Sequence, residues 1–71
     1  MEYVIVEFAE DRGVLIDGGE NGRTNQTLMV QEGTHEFTLS GAADFTPATT
    51  EILVQYTASD DPMKITFEKR V

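Results

Sequence analysis

The chain of 71 residues contains no cysteine, only one histidine and only two prolines. Without cysteine, no disulfide can staple the fold and no thiolate can bind a metal ion. A chain of this length is close to the size at which one core barely outweighs chain entropy, so apolar packing and strand pairing must provide the stability. The apolar fraction of 39% is high enough for a packed core and too high for a disordered chain. We therefore expect residues 1–71 to form a single domain.

Basic residues are scarce as well. Five lysines and arginines stand against thirteen aspartates and glutamates, which gives a net charge of −8. Three of the five, Lys64, Lys69 and Arg70, lie in the last eight residues. A chain without a basic stripe cannot release counterions from a phosphate backbone, so we expect no binding to nucleic acid or to anionic membranes. Two interpretations of the charge stay open: a solubility charge, or an acidic face for a basic partner or a cation.

Long apolar runs are absent too. No stretch approaches the roughly 18 apolar residues of a membrane span, and the N-terminus lacks the basic start and long apolar segment of a signal peptide. We expect no direct insertion into a membrane. A domain taken from a longer protein would lack a signal peptide in the same way, so these absences leave the localisation open.

Alternation with the period of a strand is the main pattern that is present. Between Thr34 and Ser40, the side chains of His35, Phe37 and Leu39 would face one side of a strand and polar side chains the other. Similar segments recur about every ten residues without helical periodicity, which predicts an all-β fold, a small antiparallel two-sheet β-sandwich of six to seven strands. The predicted strands span residues 3–8, 14–17, 27–31, 34–40, 46–57 and 63–68. The predicted core is Val6, Phe8, Val14, Ile16, Leu28, Val30, Phe37, Leu39, Ile52, Val54, Ile65 and Phe67.

Glycines mark the predicted chain reversals. We expect residues 18–22 to form a hairpin loop and Glu32–Gly33 to form a two-residue turn that closes a tight hairpin. Because glycine adopts positive φ without a steric penalty, the pattern predicts such geometry at Gly18, Gly22 and Gly33.

The segment 46–57 is predicted as one long strand. Its alternation places Ala48, Ile52 and Tyr56 on the inner face. Pro47 lacks an N–H, so the start of this strand should be an edge or a bulge. Phe45, in the preceding loop, is expected to fold back over an edge of the core.

His35 is the only histidine and could act as a general base or a metal ligand. It has no cysteine and no second histidine to assist it, so we interpret it as a packed, hydrogen-bonded residue near the end of the sandwich. The loop that starts at Asp17 superficially resembles a calcium loop, but its third position is Gly19 and its twelfth is Leu28. A weak cation site through Asp17 and Glu20 stays open as an alternative.

Other catalytic arrangements are missing from the sequence. Asp60 and Asp61 are neighbours in one turn, whereas paired catalytic carboxylates must converge across a cleft. No serine or threonine lies in a Gly-x-Ser-x-Gly elbow, and the glycine-rich loop lacks the Lys-Ser/Thr of a phosphate-binding loop. We therefore predict that the protein is not an enzyme, with no catalytic, cofactor-binding or metal-binding residues and no cofactor.

The stretch from Glu10 to Leu39 resembles a PEGA domain. That family follows the pattern Gly-x-Val-x-Ile-Asp-Gly, a short loop, Gly-x-Thr-Pro, an apolar strand, Gly-x-His or Gly-x-Tyr, and a second apolar strand. Asn25 occupies the position where the family prefers proline, and residues 42–67 resemble the remainder of the same sandwich. The matching residues are Gly13, Val14, Ile16, Asp17, Gly18, Gly22, Thr24, Leu28, Val30, Gly33, His35, Phe37 and Leu39.

The resemblance implies a non-enzymatic accessory domain, commonly outside the cytoplasm and often linked to larger proteins. We interpret the chain as a structural or protein-interaction module, a monomer or a part of a larger protein, whose sheet edges or hairpin loops dock a protein partner. The alternative is a carbohydrate- or small-ligand-binding sandwich. That alternative requires Tyr3, Phe45 and Tyr56 to form one exposed aromatic patch.

Overall fold

Nine β-strands make up the architecture of the computed structural model, which describes residues 1–70. The strands are β1 (Glu2–Glu7), β2 (Gly13–Ile16), β3 (Gly19–Arg23), β4 (Thr27–Val30), β5 (Gly33–Leu39), β6 (Phe45–Thr46), β7 (Thr50–Val54), β8 (Met63–Thr66) and β9 (Glu68–Lys69). Within these 70 residues no helix is long and apolar enough to cross a membrane.

The strands form a three-stranded sheet in the order β4-β1-β8, a four-stranded sheet in the order β3-β2-β5-β7, and the short pair β6-β9. The all-β sandwich predicted from the alternation is confirmed. One pair differs from the antiparallel expectation, because β1 and β8 run parallel, with Val4 opposite Met63 and Glu7 opposite Thr66. Parallel neighbours need a long crossover, and the whole of β2–β7 provides it here.

The core lies between the two larger sheets and contains eleven of the twelve predicted residues. Ile52 is only half-buried because β7 is an edge strand. Two further residues, Val4 and Phe45, belong to the core. Phe45 covers an edge of the core as predicted, and its ring meets those of Phe8 and Phe67 edge-on, with centroids 6.2 and 5.6 Å away.

The predicted hairpin at Glu32–Gly33 is wrong. Gly33 has the expected positive φ, 135°, but β4 pairs with β1 while β5 pairs with β2 and β7. The segment therefore links the two sheets instead of closing one ladder. The same side chains of β4 and β5 would point inward in a hairpin and in two facing sheets, because facing sheets also turn their apolar side chains into one core. The alternation therefore does not distinguish the two arrangements.

The predicted loop 18–22 is also shorter than expected. The reversal uses only Asp17 and Gly18, with φ of 53° and 85°, and Ile16 lies opposite Gly19. Two consecutive positive φ values in an Asp-Gly pair are typical of the two-residue turn that suits the twist of a hairpin. Gly22, with φ of 91°, lies in β3, and a Cβ there would collide with the side chain of Leu28.

The predicted long strand 46–57 is broken. Its regular part is β7, Thr50–Val54, and Tyr56 is not on the inner face: its φ is 61° and it is 89% exposed. The cause lies in Thr57, whose N–H and hydroxyl both donate to Glu2 Oε1 at 2.9 and 2.7 Å. These bonds direct the chain out of the four-stranded sheet towards β1. Ala48 is exposed as well.

Thr24 and Asn25 fasten the turn between β3 and β4 to the first strand and its loop. The buried Thr24 hydroxyl donates to the Glu10 carbonyl at 2.7 Å and accepts from the Arg12 N–H at 2.9 Å. Asn25, at φ 63°, donates its own N–H to the Val6 carbonyl, and its side-chain amide pairs with both backbone groups of Phe8. Proline could adopt neither that φ nor that bond, which accounts for asparagine at this position.

Candidate functional site

His35 lies near one end of the sandwich with its side chain 15% exposed. Its Nδ1 is 2.6 Å from Asp17 Oδ2, and its Nε2 is 2.7 Å from the Gln31 carbonyl oxygen. Both partners are acceptors, so the ring satisfies them fully only when both nitrogens carry a proton. The Asp17 carboxylate and then the Gln31 carbonyl raise the pKa of His35, against the opposing effect of burial.

Asp17 is occupied by protein donors at both oxygens. Its Oδ1 accepts from the Glu36 N–H at 2.9 Å, and its Oδ2 contacts His35. The Glu36 N–H, followed by His35, lowers the pKa of Asp17. Glu20, the other residue of the conceivable cation site, is in β3 opposite Leu15 and not in the turn. Within residues 1–70 no group of three or more His, Cys, Asp or Glu side chains is placed to hold a metal ion.

An open cavity of about 270 Å³ lies beside His35. Its polar wall includes Asp17 and His35, which already bond to each other, and its apolar wall includes the exposed Met29. The cavity can hold solvent or a small solute. Asp17 and His35 in its wall already bond to each other and to backbone groups. The lining residues are Met1, Ile16, Asp17, Asn21, Met29, Val30, Gln31 and His35.

Asp60 and Asp61 are exposed neighbours in one turn. Two backbone hydrogen bonds close that turn: the Asp61 N–H donates to the Ala58 carbonyl at 3.0 Å, and the Ala58 N–H donates back at 3.2 Å. The two carboxylates therefore share one tight loop and do not face each other across a cleft, as acid–base chemistry on a sugar or a peptide requires.

The three aromatic residues considered for ligand binding do not form one exposed patch. Phe45 is in the core, Tyr3 is half-buried in β1, and Tyr56 is exposed. These three residues therefore do not provide the flat aromatic platform that the carbohydrate-binding interpretation requires, because Tyr56 is the only one of them that is exposed.

A charged cluster that the sequence did not predict joins the loop after β1, the loop before β6, and β9. We name Glu10, Arg12, Asp44 and Lys69 the Arg12 cluster. The Arg12 guanidinium reaches Glu10 at 2.6 Å and Asp44 at 3.0 Å, and Lys69 Nζ bonds to both carboxylates. Arg12 also donates to the Ser40 and Ala42 carbonyls. Partners so distant in sequence leave no periodic signal.

The ion pairs of the Arg12 cluster act as a structural clamp, because they hold the loop after β1, Asp44 and β9 together. Arg12 and then Lys69 hold the pKa of Asp44 far below its usual range, and Asp44 raises the pKa of both cations. The Arg12 guanidinium also lies 5.2 Å from the centroid of the Phe8 ring, a cation–π distance. Every charge of the cluster is thus matched within it, which leaves little attraction for an external ion.

The sheet edges are the remaining candidate surfaces. Each larger sheet ends on two strands with a neighbour on one side only: β4 and β8 in one sheet, β3 and β7 in the other. All five residues of β3 are exposed, including two glycines, and none of them is apolar and large. β7 combines the half-buried Ile52 with Leu53, which is 48% exposed. We name β7 together with Gln55 and Tyr56 the β7 edge.

The outer face beside the β7 edge carries two like charges. Glu51 of β7 lies directly opposite Glu36 of β5, a cross-strand arrangement in which like charges repel. The ion pairs formed among residues 1–70 include neither glutamate. This part of the surface is therefore acidic and unneutralised, next to an exposed aliphatic side chain.

The comparison with protein families accounts for almost the whole chain. The family model of the PEGA domain matches residues 8–70, from the residue that follows β1 to the end of the described chain. No curated protein and no solved structure matches. The match contains the Asp-Gly turn, the linker at Gly33 and strands β2 to β9, and it leaves out β1. The chain belongs to the PEGA domain family.

Proposed function

We propose that this chain is a non-enzymatic accessory domain that acts as a structural or protein–protein interaction module outside the cytoplasm. The observation that carries the proposal is the β7 edge, where the strand pairs with β5 on one side only and Leu53 and Tyr56 are exposed. Exposed strand edges offer main-chain N–H and C=O groups to a partner strand. The location outside the cytoplasm follows from what is usual for PEGA domains.

The state of the titratable groups supports a binding role over catalysis. His35, Asp17 and the Arg12 cluster bond to one another or to backbone groups and hold segments of the chain together. A general acid or base needs an atom within hydrogen-bond distance of a substrate. The polar atoms of these groups bond to other parts of the chain instead. The family is one of small accessory domains, which agrees with that arrangement.

A capture experiment tests the proposal. The folded domain is immobilised and exposed separately to envelope and cytosolic extracts of the source organism, and bound material is cross-linked through carboxylates. The matched control is Phe37→Asn, which unfolds the domain by placing an amide in the core without altering the net charge.

We expect a protein from the envelope extract to be retained by the folded bait alone, with cross-links on sheet-edge residues. Retention of polysaccharide alone would replace the proposal by the carbohydrate-binding alternative. Equal retention by the unfolded control would show non-specific adsorption and contradict the proposal. Retention from the cytosolic extract alone would contradict the proposed location.

A further inference from the structure

The β7 edge presents an apolar side chain on each face that an added strand would cover. Ile52 packs on the core but stays half-buried, so an apolar side chain on a neighbouring strand would complete its burial. The inward residues of β4, Leu28 and Val30, are buried already. β8 offers the half-buried Met63 next to the exposed Lys64, and the glycine-rich β3 offers no large apolar side chain. At β7 an added strand would cover Ile52 on the inner face and part of Leu53 on the outer face.

Tyr56 gives this edge an aromatic anchor at a measurable cost. Its φ of 61° is in the left-handed region, where a bulky residue is an outlier and glycine or asparagine is favoured. The bonds of Thr57 to Glu2 impose the conformation and leave the ring 89% exposed. Strain of this kind is characteristic of functional positions, and exposed tyrosines are frequent anchors of protein interfaces.

The charges beside the edge select the occupant. An added strand would place every second side chain on the outer face, next to Glu51 of β7 and one strand further from Glu36 of β5. Lysine or arginine there would be attracted by both carboxylates, and its aliphatic stem would cover Leu53. A second copy of the chain is disfavoured, because it would bring its own glutamates to this edge and a net charge of −8 to the encounter.

We propose that the β7 edge binds an extended segment of another protein in which aliphatic residues alternate with Lys or Arg, as the fifth strand of the four-stranded sheet. The aliphatic side chains cover Ile52, the basic ones meet Glu51 and are attracted by Glu36 one strand further, and Tyr56 packs against the end of the segment. The proposal rests on the proposed interaction function and adds the surface and the chemistry of the partner.

A peptide titration tests the surface directly. The probe is an acetylated, amidated seven-residue peptide of alternating valine and lysine, matched in length to positions 50–56 and followed by amide NMR shifts of the ¹⁵N-labelled protein. The control peptides replace lysine by glutamate, or the central valine by proline, which removes a ladder N–H. We expect saturable shifts at residues 50–56 with the lysine peptide alone, and weaker binding at higher salt.

Two variants sharpen the test. Glu51→Lys should weaken binding of the lysine peptide by about fivefold or more and create binding of the glutamate peptide. Glu20→Lys, at the opposite edge of the same sheet, makes the same change of net charge and should alter the affinity less than about twofold. Tyr56→Gly should weaken binding while the melting temperature stays equal or rises, because glycine adopts this φ without strain.

The failures are distinguishable. Absence of saturable shifts at residues 50–56 with millimolar lysine peptide, shifts centred on another edge, or equal losses for Glu51→Lys and Glu20→Lys would overturn the β7 inference. A captured protein that is retained equally by baits carrying Glu51→Lys or Tyr56→Gly would also overturn it, with the proposed function intact. Peptide binding at residues 50–56 without any captured protein would contradict the proposed function alone.

Discussion

The Arg12 cluster and the β7 edge contain the same kind of acidic side chain in opposite electrostatic settings. In the Arg12 cluster, two carboxylates and two cations are joined by four ion pairs that tie the first loop to β9. At the β7 edge, Glu36 and Glu51 face each other with no cation bonded to either within residues 1–70. The chain thus uses its few bases to close one region and leaves another region charged.

The difference shows that net charge alone says little about a small domain. Lys69 is among the three bases at the end of the chain, yet the fold returns it to Glu10, 59 residues earlier. Because Lys69 is paired with Glu10 and Asp44, it does not form a basic patch with its neighbours. Unbalanced negative charge is left at Glu36 and Glu51. An acidic surface selects basic partners and accelerates their approach, so the location of the unbalanced charge is more informative than its sum.

The largest expected effect comes from the core that both regions share. Phe37→Ala removes a fully buried ring beneath the β7 edge and should lower the free energy of unfolding by about 3–5 kcal/mol, a large share of the stability of a domain this small. Urea denaturation provides the measurement. A variant that melts within a degree or two of the parent would show that the strand phase is wrong.

The Arg12 cluster is tested by Arg12→Met, which keeps an apolar stem over Phe8 and removes the charge. We expect the melting temperature to fall by several degrees, because the Ser40 and Ala42 carbonyls lose the Arg12 donor and Asp44 keeps only Lys69. The matched control is Arg23→Met, which makes the same charge change at a half-exposed residue with one ion pair, to Asp11. Similar midpoints for the two variants would contradict the clamp role.

The pH dependence provides a smaller effect. Because the folded-state pKa of His35 lies above its ordinary value of 6.5, the contribution of the protonated ring is complete below pH 6.5 and is lost as the pH rises through the folded-state pKa. We expect the melting temperature to fall as the pH rises through the folded-state pKa of His35. His35→Gln should remove this fall, and the difference between the two melting curves isolates the histidine. An unchanged pH profile in the variant would contradict the assignment.

The smallest expected effect concerns the two glutamates beside the β7 edge. Glu36→Gln removes one of two like charges that lie directly opposite, so it should stabilise the domain by roughly 0.2–1 kcal/mol. The gain should shrink when NaCl is raised from 10 to 500 mM, because salt screens exposed charges. Glu32→Gln, outside the sheet, makes the same charge change as a control. Equal gains for the two variants would point to overall charge instead of the cross-strand pair.

The residues that alternate along a half-buried strand could be predicted from the sequence. Phe37 and Leu39 point inward as expected, and Gly18, Gly22 and Gly33 have positive φ. The pairing of strands could not be predicted in the same way. A glycine turn reverses the chain equally well within one ladder or between two sheets, and only the long-range partners of β4 and β5 decide which occurs.

The missed features depend on contacts between distant segments. β3 lacks an apolar pattern because all its side chains are exposed, so its strand conformation comes only from pairing with β2. Tyr56 leaves the inward phase because Thr57 bonds to Glu2, 55 residues away. Arg12 and Asp44 meet across 32 residues. Local periodicity contains no information on such bonds, and the candidate surface at the β7 edge follows from them.

The parallel pairing of β1 with β8 also sets when the domain can be completed during synthesis. β1 is translated before the other strands, but it is the central strand of its sheet, and its neighbour β8 is translated only after β2 to β7. Ile65 and Phe67 emerge after every other core residue. Until then the nascent chain exposes one edge of β1 and part of an uncovered core, a condition that favours aggregation and chaperone binding. The domain therefore folds only once almost its entire length has been made.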